Sequence, residues 1–153
     1  ICHQDLFPRN AFIRVAGGAE QTVAIDWAFC GWAALGADLA PLLGASLGFF
    51  EADSDNADEL ERLCLDAYLD GLRLTDWHGH RDDVFIGYLA TIALRMVGTV
   101  GPVLTVALDN SLDAMIEQIF GRPKPELIAR WRKNHDSFDE PRLASLLTTL
   151  GYA

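Results

Sequence analysis

Apolar positions fall into two regimes along the chain. Over residues 11–15 and 22–25, β-branched and apolar residues form short runs separated by Ala16-Gly17-Gly18-Ala19-Glu20-Gln21, which predicts a strand, a glycine turn and a second strand. Such a hairpin sets Asn10 at the head of one strand and Asp26 at the end of the other. Beyond Asp38 the period becomes helical. Asp38 is a candidate N-cap for a strongly apolar helix reaching about Phe50, whose Gly44 and Gly48 predict close packing against a neighbour. After a polar break at 53–56, Leu60, Leu63, Cys64, Ala67, Tyr68 and Leu72 recur at helical spacing and predict an amphipathic helix over 57–74. Further helices are expected over 81–100, 105–120, 125–137 and 140–150, the last with Pro141 in its first turn and Gly151 as its stop. The pattern is that of an α+β chain, mostly α, with one hairpin followed by a helical bundle.

Composition narrows this to a single domain. Half of the 153 residues are hydrophobic, enough for one well-buried core and too few for two ordinary domains. Residues 1–36 form its loop and hairpin segment, and residues 37–153 a helical subdomain. Twelve basic residues against 22 acidic ones give a net charge of -10, which disfavours nucleic acid and anionic membranes as partners and suits a cationic small molecule. Cys2, Cys30 and Cys64 are odd in number and contain no C-x-x-C pair, so a reducing cytoplasm is expected rather than a disulfide framework. The apolar stretch 84–108 is interrupted by Arg95, Gly98, Gly101 and Pro102, which predicts a buried helix and a turn rather than a membrane span. No signal peptide is evident, and with Ile1 in first place the true N-terminus is expected to lie further upstream.

Chemistry concentrates at the start. His3-Gln4-Asp5-Leu6-Phe7-Pro8-Arg9-Asn10 fits the catalytic-loop pattern H-x-D-L-x-x-x-N at every fixed position, and Ile25-Asp26-Trp27 supplies a second aspartate downstream. Chance occurrence of H-x-D-x-x-x-x-N in a chain of this length is on the order of one percent. Phosphoryl transfer needs little covalent work from a protein: a cation to neutralise phosphates, and a carboxylate to orient the attacking hydroxyl and accept its proton. Asp5 is the candidate base. Asn10 and Asp26 are the candidate magnesium ligands, because a hard cation takes oxygen donors.

HQDLFPRN, then TVAIDWAFCG, then GADLAPLL resembles the aminoglycoside phosphotransferase and choline kinase-like family, whose members carry H-G-D-x-x-x-x-N, I-D-W or I-D-F, and D-L-A. The motifs cover residues 1–43, and the helical remainder is similar to the C-terminal lobe of that protein kinase-like fold. The resemblance implies an ATP-dependent (or GTP-dependent), magnesium-assisted phosphotransferase acting on a hydroxyl of an aminoglycoside-, choline- or sugar-like molecule. It implies Asp5 as catalytic base, Asn10 and Asp26 as metal ligands, and His3 as a structural brace between the loop and the segment around Asp26. Asp38 then accepts hydrogen bonds from the catalytic-loop backbone.

Three departures accompany the resemblance. Gln4 stands where glycine is frequent, Ala28 where Glu or Gly often follows the aromatic residue, and Ala33-Ala34-Leu35-Gly36 where Gly-Asp-Pro is common. A kinase-type site also needs a glycine-rich loop and a strand lysine, which belong N-terminal to the catalytic loop. The chain is therefore expected to be the C-terminal part of a larger enzyme, poor at binding ATP alone, with the missing N-terminal lobe as its partner. The competing expectation is a non-catalytic binding or regulatory module of kinase ancestry.

Other candidates carry less. Trp77-His78-Gly79-His80 reads as a surface turn, without Cys or His partners at zinc spacing. Cys30 has no histidine placed to activate it. Asp82 and Asp83 suit a helix N-terminus, with cationic-substrate binding as the alternative. Arg122, Lys124, Arg130, Arg132 and Lys133 read as a solvated helix face.

Overall fold

Two glycines close the hairpin. Gly17 and Gly18 have φ of 62° and 80°, the left-handed pair that a two-residue turn requires. They join antiparallel strands β1, Ala11–Ala16, and β2, Ala19–Ala24, in a register running from Ala11 opposite Ala24 to Ala16 opposite Ala19. The strands thus reach further toward the turn than the apolar runs suggest, because ladder hydrogen bonds continue across Ala16, Glu20 and Gln21 regardless of polarity. One more bond, from the Ile25 N–H to the Asn10 carbonyl at 2.9 Å, carries the pairing to the foot of the hairpin.

The computed structural model describes residues 1–48, 51–138 and Thr148. Its chain divides into two compact units, Ile1–Thr91 and Ile92–Ala153. In the first, α1 spans Leu39–Gly48 and α2 spans Ala57–Arg73, while α3, Arg81–Leu108, begins in this unit and continues into the second. The core is built from Cys2, Ala37, Leu39, Leu43, Leu47, Leu65, Leu69, Val84, Tyr88 and Leu89, all buried. Nearly every residue of α1 contributes, which explains why its sequence is apolar all round.

Gly48 does not make the close approach expected of it; a Cβ there would meet open space. The close approaches lie at Gly36 and Gly87 instead. Gly36 is buried with φ of 83°, and an added Cβ would run into the Val84 carbonyl of α3, while one on Gly87 would run into the Leu35 carbonyl. Segment 33–38 thus presses backbone against backbone on α3.

The turn expected near Gly101 and Pro102 is absent. α3 runs through both to Leu108, although an interior proline lacks a backbone donor and crowds the carbonyl four residues before it. The break comes at Asp109, whose carboxylate accepts from the Ser111 N–H at 2.9 Å. A short 3-10 turn, Asn110–Leu112, then leads into α4, Asp113–Phe120, which ends on left-handed Gly121, and α5 covers Lys124–Phe138. Lys124 departs from the solvated face assigned to it. It is only 7 % exposed, and its ammonium donates to Asn110 Oδ1 at 2.8 Å and pairs with Asp113. The helix expected over 140–150 lies outside the described residues, apart from Thr148. No described helix is long and apolar enough to cross a membrane.

Candidate active site

The first unit folds its N-terminal residues back on themselves. Cys2 bridges antiparallel to Gly31, with N···O distances of 2.8 and 3.0 Å, so the chain passes the Ile25 to Phe29 segment just as it enters the catalytic-loop motif. His3 is 3 % exposed and serves as the joint. Its Nε2 lies 2.7 Å from the Ile25 carbonyl, and its Nδ1 lies 3.3 Å from the Asp5 N–H. The tautomer protonated on Nε2 satisfies both contacts, donating to Ile25 and accepting from Asp5. The imidazole also packs on Trp27, with ring centroids 4.6 Å apart.

Asp38 anchors the loop from the other side. Its two carboxylate oxygens accept from the His3 N–H at 3.0 Å and the Gln4 N–H at 2.6 Å. The second bond holds a residue under strain, for Gln4 has φ of 63°, a region that disfavours a side chain by about 1–2 kcal/mol. Asp26, φ 60°, occupies the same region at the end of the hairpin, where a short polar side chain is better tolerated. Glycine at the position of Gln4 would carry no such strain.

Asp5 and Asn10 meet directly. Asn10 Nδ2 donates to the Asp5 carbonyl at 2.9 Å and to Asp5 Oδ2 at 3.3 Å, closing the loop that Pro8 stiffens. With its nitrogen committed to Asp5, the group Asn10 has for a cation is its amide oxygen. Asp5, Asn10 and Asp26 line one open cleft of about 290 Å3 together with Phe7, Pro8, Arg9, Ala45 and Glu51. His3 and Asp38 stand behind it. The arrangement contains a carboxylate that can accept a proton and two oxygen-bearing side chains that can face a cation.

Among the described residues no three His, Cys, Asp or Glu side chains form a metal site. A cation in the cleft would draw on Asn10, Asp26 and oxygens from a bound phosphate or water, the donor set that magnesium favours at phosphate sites.

Several contributors were not singled out from the sequence. Arg9 and Glu51 form an ion pair at the cleft, Nε to Oε1 2.9 Å. Nothing in the spacing of Glu51, which follows α1, signals that proximity. Tyr68 belongs to the apolar stripe of α2, yet its hydroxyl accepts from the Gly36 N–H at 3.1 Å. The Cys2 thiol donates to the Ala34 carbonyl at 3.5 Å. Burial pushes the Cys2 thiol above its usual range, with the nearby Asp38 carboxylate adding to the effect, and burial likewise raises the Tyr68 phenol. His78 and His80 lie exposed, and Asp83 accepts from the His80 N–H at 3.2 Å as α3 begins.

Residues 1–82 match the phosphotransferase enzyme family. That is more than half of the chain, and the protein belongs to this family. No curated protein and no solved structure matches the chain significantly.

Proposed function

We propose that the chain is the C-terminal lobe of a protein kinase-like phosphotransferase that moves the γ-phosphoryl group of ATP, or GTP, onto a hydroxyl of a small molecule. The observation carrying this reading is the Asp5–Asn10 contact in a cleft that Asp26 also lines. Asp5 orients the acceptor hydroxyl and takes its proton as the acceptor oxygen bonds to the γ-phosphorus. The bond from that phosphorus to the β,γ-bridging oxygen breaks, and the nucleoside diphosphate leaves with the bond pair. Asn10 and Asp26 would hold magnesium, which would supply charge neutralisation at the phosphates. His3 and Asp38 keep Asp5 in register through the backbone.

The net charge of -10 favours a cationic acceptor over an anionic one. Three free cysteines are compatible with a cytoplasmic setting. The nucleotide-holding lobe belongs to the same protein on this reading, and the surface supports it: Phe12, Ile13, Val15, Ile25, Trp27, Phe29 and Trp32 are large apolar residues left exposed on and beside the hairpin, Trp32 at 89 %. A two-stranded hairpin with most of both faces in solvent is marginal by itself and gains from a covering layer.

The test is Asp5→Asn in the complete protein, assayed for MgATP turnover against a panel of amino alcohols, sugars and aminoglycosides. Loss of a proton acceptor of this kind lowers kcat by about 10²–10⁴-fold, with little change in thermal stability because the contact with Asn10 survives. Turnover that persists at the wild-type rate would overturn the catalytic role and favour a non-catalytic module.

A further inference from the structure

We infer that Tyr68 is a positioning residue for the catalytic loop, acting from α2 through segment 36–38 on the peptide that joins Gln4 to Asp5. This inference rests on the role proposed for Asp5.

Four hydrogen bonds and two close backbone approaches form a relay. The Tyr68 hydroxyl accepts from the buried Gly36 N–H at 3.1 Å. Gly36 cannot retreat toward α3, where the Val84 carbonyl already occupies the space a Cβ would need, and the Leu35 carbonyl presses equally closely on Gly87. Two residues on, the Asp38 carboxylate accepts from His3 and Gln4. Gln4 is held at φ of 63° and is bonded directly to Asp5. The Cys2 thiol on the Ala34 carbonyl adds a second tie between loop and segment.

The segment is thus held both by a hydroxyl of α2 and by close contact with the backbone of α3. Van der Waals contact resists its motion toward α3, whereas motion that would carry Gly36 away from the Tyr68 hydroxyl is opposed by the hydrogen bond. A shift there moves the Asp38 oxygens. Because left-handed Gln4 is strained, weakening its anchor lets φ relax toward negative values, and that rotation carries Asp5 with it. Phenylalanine would fill the same volume without the acceptor, so the hydroxyl is the part of Tyr68 that the relay uses.

A purely structural hydroxyl and a positioning one predict different kinetics. With the complete enzyme and MgATP, in acceptor-independent hydrolysis at a temperature where both proteins are fully folded, Tyr68→Phe is expected to lower kcat about tenfold. KM for MgATP should stay within twofold, and hydrogen exchange at the His3 and Gln4 amides should quicken. A folded Tyr68→Phe enzyme with kcat within twofold of wild type overturns the inference. Asp5→Asn run alongside separates two failures: if it abolishes hydrolysis while Tyr68→Phe does not, only the positioning role falls, and if both are silent the phosphotransfer reading falls as well. Wild-type native-state exchange supplies a measurement independent of any variant. The relay requires the Gly36 and Gln4 amides to open together with one protection factor, and independent opening would overturn it.

Discussion

Replacing Asp38 by alanine should damage stability and turnover together, and the structure sets the size of the first effect. The carboxylate satisfies two backbone donors, His3 N–H at 3.0 Å and Gln4 N–H at 2.6 Å. Charge-assisted hydrogen bonds contribute about 1.5–3 kcal/mol each, and a half-buried site that water can partly enter belongs at the low end, giving about 3 kcal/mol for the pair. Part of that is returned. Freed from its anchor, Gln4 can leave the left-handed region and recover about 1 kcal/mol of strain. The net loss of about 2 kcal/mol corresponds to a fall in Tm of roughly 4–8 °C for a chain of this size. The relaxation that limits the loss of stability is the same movement that displaces Asp5, so kcat falls even in molecules that stay folded. Thermal unfolding followed by tryptophan fluorescence, with hydrogen exchange read at His3 and Gln4, measures both. Asp38→Asn keeps one acceptor and should lie between wild type and Asp38→Ala. An alanine variant melting within about 1 °C of wild type, its two amides still protected, would refute the reasoning.

Four further outcomes follow from particular residues. Gly36→Ala combines a left-handed backbone with a Cβ driven into the Val84 carbonyl, and should destabilise the protein by at least about 3 kcal/mol, seen as a Tm fall above 6 °C; a neutral result would refute the close approach. With a small alkylating reagent at neutral pH, exposed Cys30 should react first while buried Cys2 and half-buried Cys64 lag, and equal rates would contradict that order. Burial raises the Cys2 and Cys64 thiols above their ordinary value of 9.0, so their contribution to stability is complete below pH 9 and is lost as pH rises through the higher folded values. Melting curves should therefore decline above pH 9, less steeply in Cys64→Ala, and a flat profile would count against the burial. Lys124→Met removes the partner of Asp113 and Asn110 beneath α5 and should cost about 1–2 kcal/mol, measured as a lowered urea midpoint; an unchanged midpoint would show that this ammonium supports nothing.

Local signals were legible where one interaction dominates. Adjacent glycines at the hairpin turn, the helical spacing of Leu60, Leu63, Cys64, Ala67, Tyr68 and Leu72, and the apolar run that became α1 each specify structure through nearest neighbours, although α2 buries Ala57, Leu65 and Leu69 and leaves Leu63 exposed. Their elements lie where the pattern puts them. Pro102 was misleading: α3 runs through it to Leu108 although an interior proline costs about 3 kcal/mol or more, and the break comes at Asp109, whose carboxylate accepts from the Ser111 N–H. Lys124 was misleading for a different reason. Its charge argues for solvent, but Asn110 and Asp113, far from conspicuous in the sequence, converge to replace the water it loses.

The candidate site divides along the same line. Its chemical groups were proposed from the residue types and spacing that phosphoryl transfer would need, and Asp5, Asn10 and Asp26 line one cleft. What the sequence hides is the support. Glu51 reaches the cleft beside Arg9, and Tyr68 reaches Gly36, through tertiary proximity between positions 42 and 32 residues apart. The strain at Gln4 makes such support matter more than it would with glycine at that position. Glycine would adopt φ of 63° without help, whereas glutamine must be held, so replacement of a permissive residue shifts the burden of loop geometry onto Asp38 and, through segment 36–38, onto α2 and α3. Gln4→Gly should accordingly make the loop less dependent on Asp38, and a double-mutant cycle between the two positions reads that coupling as non-additive loss of stability.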